Sequence, residues 1–332
     1  MRVQARTTWR FDAQARCRWL RNCAGTFRPD PTRGAPRLCA LRARSPVGTG
    51  LTPGILVIVT FTRREVRELL ARNGLAPDRA LGQHFVVDPN TVRRIARLAE
   101  VGAGDRVVEV GAGLGSLTLA LLETGAEVTA LEIDRGVLAV LRTVVEPAGA
   151  TVVEADALRV DWEHLLGEGP WVLVANLPYN VATPLVAELL ERARAIGRML
   201  VMVQREVGER LAARPGDDAY GAVSVRVDYW ATASLIGRVP ASVFFPVPNV
   251  ESVLVRIERR ARPAVDPDVD HDRLFELVAA GFGRRRKMLR RALAGLVPHE
   301  AFVASGVRPE ARAEELSVED WGRLARCSRR PS

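Results

Sequence analysis

Four consecutive residues, Asn176, Leu177, Pro178 and Tyr179, have the chemistry of a clamp for an aromatic amino group. An exocyclic amino nitrogen on a base is a poor nucleophile because its lone pair is delocalised into the ring. Two acceptors placed on its hydrogens favour a tetrahedral nitrogen with the lone pair turned outward. Asn176 offers a side-chain carbonyl for this purpose and Leu177 a main-chain carbonyl. Pro178 fixes φ and lacks an N–H, which stiffens the turn. Tyr179 supplies a π-face on which a base can stack. Asn and Pro also occur in plain turns after buried strands, so the tetrapeptide takes its meaning from what precedes it.

Upstream, Arg106–Val110 reads as a short apolar strand ending in Gly111-Ala-Gly113-Leu-Gly115, with a helix opening at Ser116. Glycines let the backbone turn tightly and approach a ligand without Cβ interference. Such a turn is ordinary by itself, but Glu132 ends the next strand, 21 residues after Gly111. A carboxylate there can accept both ribose hydroxyls of an adenosine. Ser116 stands where a dinucleotide fingerprint would have its third glycine, which argues against NAD and for the phosphate-free S-adenosylmethionine (SAM). Asp156 can accept from the cofactor's adenine amino group, although a lone Asp at a strand end is equally a turn former. Loop and clamp together imply methyl transfer from SAM to the amino nitrogen of a base. No strong general base is needed, since the proton becomes acidic once the nitrogen is methylated. The rate then comes from proximity and electrostatic placement. A paired base cannot reach such a pocket, so the target must be unpaired or flipped out.

The elements that would hold these groups follow from periodicity. Thr62-Arg-Arg-Glu is a helix start with a capping box, and the helix runs through Arg72. Candidate strands are Arg106–Val110, Glu127–Leu131, Thr151–Val153, Trp171–Ala175 and Met199–Val203, with helical stretches between most of them. That alternation predicts parallel βαβ units and a doubly wound α/β sheet. After Gln204 the pattern shifts toward strands, with Val223–Tyr229 and Ser252–Ile257 the best candidates. Ala261–Asp268 reads as a linker, followed by short helices that include Leu274–Phe282 and Arg285–Leu293.

Charge is unevenly distributed. The net charge is +9 over 332 residues, and residues 1–50, with eleven Arg against Asp12 and Asp30, carry all of it. The remainder is neutral, so a nucleic-acid surface must come from local clustering. Arg284, Arg285, Arg286, Lys287, Arg290 and Arg291 form such a cluster, on an expected helix whose packing side is Phe282, Met288, Leu289 and Leu293. Residues 1–55 lack sustained apolar periodicity. A disordered or spuriously included extension is preferred over an organelle-targeting segment or a basic RNA-binding arm. No apolar run reaches the roughly 18 residues of a membrane span. Cys17, Cys23, Cys39 and Cys327 fit no zinc template, so no metal is expected. A reducing cytoplasm and a monomer are the expected setting.

Six ordered stretches resemble one family, the small-subunit (16S) rRNA adenine dimethyltransferases of the KsgA/RsmA type. They are Leu81–Asn90, Val108–Gly115, Glu154–Ala157, Asn176–Pro184, Val239–Pro248 and Phe282–Arg290. The resemblance runs from about Thr62 to Leu324. It implies a Rossmann-like SAM-dependent methyltransferase fold with a seven-stranded, mostly parallel sheet over 62–260, and a small helical domain over 264–330. It implies SAM contacts at His84 and Val86 in the Gln83–Val86 loop, and at Gly111, Gly113, Glu132, Asp156 and Asn176. The target adenine would meet Asn176, Leu177, Pro178 and Tyr179, with the Phe244 ring closing its other face. His84 departs from the family's usual Asn; it can still donate to the cofactor's carboxylate. The implied reaction is dimethylation of two adjacent adenines in the 3′-terminal stem-loop of small-subunit rRNA, on the immature small ribosomal subunit. A macrolide-resistance type 23S rRNA methyltransferase, or a non-catalytic assembly factor with this fold, are the alternatives.

Overall fold

The computed structural model describes residues 60–78, 81–178 and 181–328. The Arg-rich stretch 1–55 and Tyr179 lie outside the described residues.

The capping box at Thr62 opens α1 (Arg63–Arg72): Glu65 N donates to Thr62 Oγ1, and Thr62 N donates to Glu65 Oε2 at 2.7 Å. These Thr62 hydrogen bonds hold the Glu65 carboxyl below its ordinary range. The chain continues through β1 (Phe85–Val86), α2 (Pro89–Ala99), β2 (Arg106–Val110), α3 (Ser116–Leu122), β3 (Glu127–Glu132) and α4 (Arg135–Val145). Then come β4 (Thr151–Glu154), α5 (Trp162–Leu166), β5 (Trp171–Asn176), α6 (Ala182–Arg192), β6 (Ile196–Gln204) and α7 (Arg205–Ala212). The last group is α8 (Ala222–Trp230), β7 (Ala231–Val239), β8 (Phe244–Phe245), β9 (Ser252–Arg259), α9 (His271–Gly283), α10 (Leu289–Ala292), α11 (His299–Ser305) and α12 (Val318–Cys327).

Seven strands pair in the order β4-β3-β2-β5-β6-β9-β7, the first five parallel and the last two antiparallel. This is the expected mostly parallel Rossmann-like sheet. Strands covered on both faces read as continuous apolar runs, and β5 does so. Val172 and Val174 pack with α2 and α3, while Leu173 and Ala175 pack with α6. The chain steps from β2 outward through β3 to β4, then returns to place β5 on the other side of β2. Ligands in such sheets bind at this reversal, beyond the carboxyl ends of the strands. The Gly111 loop follows β2 there, and Asn176 ends β5.

Three expectations differ from the structure. Residues 223–229 form helix α8 rather than a strand. Their alternating valines are buried on two sides: Val227 faces the sheet core, whereas Val225 and Tyr229 face the C-terminal helices. A helix covered on both sides loses its 3.6-residue stripe and imitates a strand. The second difference is β7, which follows it and gave no signal, because it is an edge strand of small and polar residues with an irregular register at Leu235–Gly237. Third, the expected helix Arg285–Leu293 shrinks to α10. Leu289 N donates to Ala311 O and Arg290 N to Pro309 O, so the neighbouring segment takes the amides a longer helix would have used.

The far end of α6 is closed by Arg259 of β9. Its guanidinium donates to Ile196 O at 2.8 Å, Leu190 O at 2.7 Å, Leu189 O at 3.0 Å and Ala193 O at 3.2 Å. Carbonyls left over at a helix C-terminus need such donors. α6 is thereby fixed at the end opposite the Asn176 turn.

Candidate active site

The clamp is built by three anchors. Leu177 N donates to Met202 O at 3.0 Å, which ties the turn to β6. Pro178 O accepts from Val181 N and Ala182 N, which starts α6 directly behind it. Asn176 Nδ2 donates to His84 O at 3.0 Å. A carbonyl only accepts, so the amide nitrogen must lie on the His84 side and Oδ1 must lie on the other. Among the described residues, no donor reaches Asn176 Oδ1 or Leu177 O. Leu177's side chain is buried.

The glycine loop lies against this clamp. Gly111, Gly113 and Gly115 have φ of 70°, 59° and 88°, a region that disfavours side chains. A Cβ on Gly111 would lie 3.9 Å from Pro178 Cδ, and one on Gly113 would come within 3.1 Å of the Phe85 ring. Cofactor loop, clamp and the Gln83–Val86 segment are therefore in mutual contact. Glu132 is 6% exposed. It accepts from Ile133 N and Asp134 N on Oε1 and from Gly113 N on Oε2. A carboxylate has about four acceptor sites, so Oε2 is the oxygen with room for a ribose hydroxyl. A buried carboxylate at the end of β3 beside a Cβ-free cradle fits the adenosine part of SAM.

Glu109, one residue before the end of β2, is the functional-looking group that spacing alone did not single out. It is 2% exposed and accepts from Thr118 Oγ1 at 2.6 Å. Burial pushes its carboxyl up to about 8, and the nearby Glu132 adds to the rise. Burial also raises Glu132, against its three backbone donors. Glu109 thus keeps the proton at neutral pH. A carboxyl raised from 4.5 in the unfolded chain stabilises the fold fully below that value and loses its contribution as pH rises to about 8. Glu109→Gln is therefore expected to gain on wild type in melting temperature, by several degrees, between pH 5 and 8. Parallel melting curves across that interval would show that Glu109 does not titrate there.

Comparison with known proteins decides the family. Residues 77–329 match the ribosomal RNA adenine dimethylase family. The chain belongs to that family. It is 49% identical over 273 residues to ribosomal RNA small subunit methyltransferase A of Cutibacterium acnes, covering 78% of this chain and 91% of that protein. It is 46% identical over 279 residues to the protein of the same name from Bifidobacterium adolescentis, covering 79% and 92%. The 23S rRNA methyltransferase ErmE superposes with a TM-score of 0.58 at 27% identity, over 74% of this chain and 99% of that one. A dimethyladenosine transferase from Plasmodium falciparum has the same fold, with a TM-score of 0.60 at 24% identity over 71% and 94%. This dimethylase is an enzyme whose methyl donor is SAM.

Other expected site residues of the dimethylase fall as follows. Val86 is buried and its backbone pairs with Phe244, so any contribution to a ligand is through the main chain. Asp156 shapes a turn: Oδ1 accepts from Leu158 N at 3.0 Å and Oδ2 lies 3.4 Å from Arg159 Nε. The His84 imidazole does not simply await a cofactor, because its Nδ1 is bonded to Pro246 O at 2.8 Å. Phe244 is fully buried among Val86, Met202 and Leu254, and its ring has no surface on which a base could stack. Its neighbour Phe245 is half-buried with the Arg67 guanidinium 5.0 Å from its ring centre. The basic cluster is split between the turn 284–287 and the short α10, and does not form one helix face. Arg285 is ion-paired with Glu314 and Arg290 with Glu310, and Arg284 donates to Arg291 O. The side chains of Arg286 and Lys287 bond no other described residue and are exposed. Among the described residues, no helix is long and apolar enough to cross a membrane.

Proposed function

We propose that the dimethylase converts two adjacent adenines in the 3′-terminal stem-loop of small-subunit rRNA to N6,N6-dimethyladenines, acting on immature small subunits as a cytoplasmic monomer. The observation that carries this reading is the orientation of Asn176. Its Nδ2 is committed to His84 O, so Oδ1 is turned away from that contact, and the Asn176–Pro178 turn lies against Gly111 at the sheet's reversal. SAM supplies an electrophilic methyl group on a sulfonium. The protein's part is placement: Asn176 Oδ1 and Leu177 O each accept one amino hydrogen and direct the nitrogen lone pair. After the first transfer one hydrogen remains, and one acceptor still suffices to orient it. Glu132, Asp156 and the glycine loop hold the adenosine, and Gln83–Val86 closes over the loop. Tyr179 is assigned the stacking face of the base. Residues 62–260 are assigned as the catalytic domain and 264–330 as the helical domain.

The test is tritium transfer from labelled SAM to immature small ribosomal subunits, with mass mapping of the RNA 3′ end. Dimethyladenines at two adjacent positions are expected. Label found only in large-subunit RNA would replace this assignment with the 23S type. Absence of SAM binding would leave the assembly factor.

RNA contact is assigned to the unpaired cations of the 284–287 turn. Replacing Arg286 and Lys287 together with alanine should weaken RNA binding and lower the slope of log K against log salt by about 1.5. Arg285→Ala should instead lower stability by about 1 kcal/mol, because it breaks the Glu314 pair. An unchanged salt slope in the double variant would make the turn a solvated surface.

A further inference from the structure

The strip Gln83–Val87 touches both halves of the site. Gln83 Nε2 donates to Asp134 Oδ2 at 2.7 Å, and Asp134 N in turn donates to Glu132. Phe85 packs against Gly113. These contacts belong to the cofactor side. On the other side, Phe85 and Val86 pair antiparallel with Phe245 and Phe244, and Val87 N donates to Val243 O at 2.8 Å. His84 sits between them. Its main-chain oxygen holds Asn176 Nδ2, and its imidazole Nδ1 reaches Pro246 O. Pro246 O has no proton to give, so Nδ1 carries the hydrogen and donates.

We propose that His84 is a positioning residue that latches the cofactor loop to the Phe244–Pro246 segment, so that cofactor binding and RNA binding strengthen one another. The inference rests on the proposed function and deepens it. The ring's bond to Pro246 O holds residue 84 in place, and the backbone of that residue fixes the amide of Asn176. Ordering 83–87 around the adenosine also holds Asn176 through His84 O, and RNA arriving second finds that amide already placed. The atom that matters is a nitrogen donor on Cγ. Asparagine carries Nδ2 at the same bond distance from Cβ and can make the same bond. Leucine has similar bulk and no donor.

The experiment measures binding of S-adenosylhomocysteine by calorimetry. It then measures the affinity for an RNA stem-loop bearing adjacent unpaired adenines, with and without saturating S-adenosylhomocysteine. In wild type the nucleoside should tighten RNA binding at least about fivefold. His84→Leu should reduce that factor below about twofold, and His84→Asn should restore it. Coupling retained in His84→Leu, or lost in both variants, overturns the latch. If His84→Leu fails to fold, His84→Asn alone decides: coupling near wild type supports the donor and its loss refutes it. A wild type that binds both ligands without coupling also refutes the latch and leaves the functional reading intact. A wild type that binds no S-adenosylhomocysteine overturns both.

Discussion

Asn176→Ala should lower the single-turnover rate of methyl transfer about a thousandfold, roughly 4 kcal/mol, while weakening SAM binding only about tenfold. The asymmetry follows from what each atom does. In the proposed clamp, Oδ1 acts on the amino hydrogen as the nitrogen gains positive charge, an interaction stronger in the transition state than in the ground state. Nδ2 merely holds the His84 carbonyl, so its loss loosens the 83–87 strip without removing a cofactor contact of its own. Tritium transfer under single-turnover conditions gives the rate, and calorimetry gives the affinity. Turnover within a few-fold of wild type would refute the clamp. A rate and an affinity falling in equal measure would make Asn176 a cofactor ligand only.

Glu132→Ala should raise the SAM dissociation constant by about a hundredfold or more. It removes the proposed ribose acceptor and strips three backbone donors, at Gly113, Ile133 and Asp134, of their partner. The second effect should also lower stability by about 2 kcal/mol, since a buried unpaired amide is costly. The two effects separate in Glu132→Gln, which keeps an acceptor for the amides and loses the charge. That variant should recover most of the melting temperature and little of the affinity. Intact SAM affinity in a destabilised Glu132→Ala would reduce the residue to a loop support.

The site was legible where spacing alone dictates geometry. Gly111 to Glu132 and Asn176 to Pro178 needed only the βα alternation, and the expected strand Arg106–Val110 matches β2 end to end. Contacts between distant segments could not be read this way. Nothing in the local sequence of Phe244 distinguishes a buried ring from one facing a base, because that depends on which of two adjacent phenylalanines pairs across to Val86. The same holds for α8, where two cores on opposite sides erase the helical stripe, and for Arg285, whose Glu314 partner lies far along the chain. The proton on Glu109 was equally hidden, since its cause is depth rather than a neighbouring residue type.

The seating of Arg259 beneath α6 bears on how the chain comes to be made. β9 lies between β6 and β7 in the sheet although it follows both in the chain. A nascent polypeptide that has emerged as far as Val239 therefore has an unpaired β6 edge, and β7 has no strand to join. The carbonyls that close α6 likewise await residue 259. Unpaired edges recruit foreign strands, and long-range pairings close late. Synthesis thus passes through an interval in which the parallel half of the sheet and both motifs of the site exist, while the helix behind the clamp is anchored at one end only. The vulnerable step for this polypeptide is the emergence of 252–259, and slow translation there extends its exposure to aggregation.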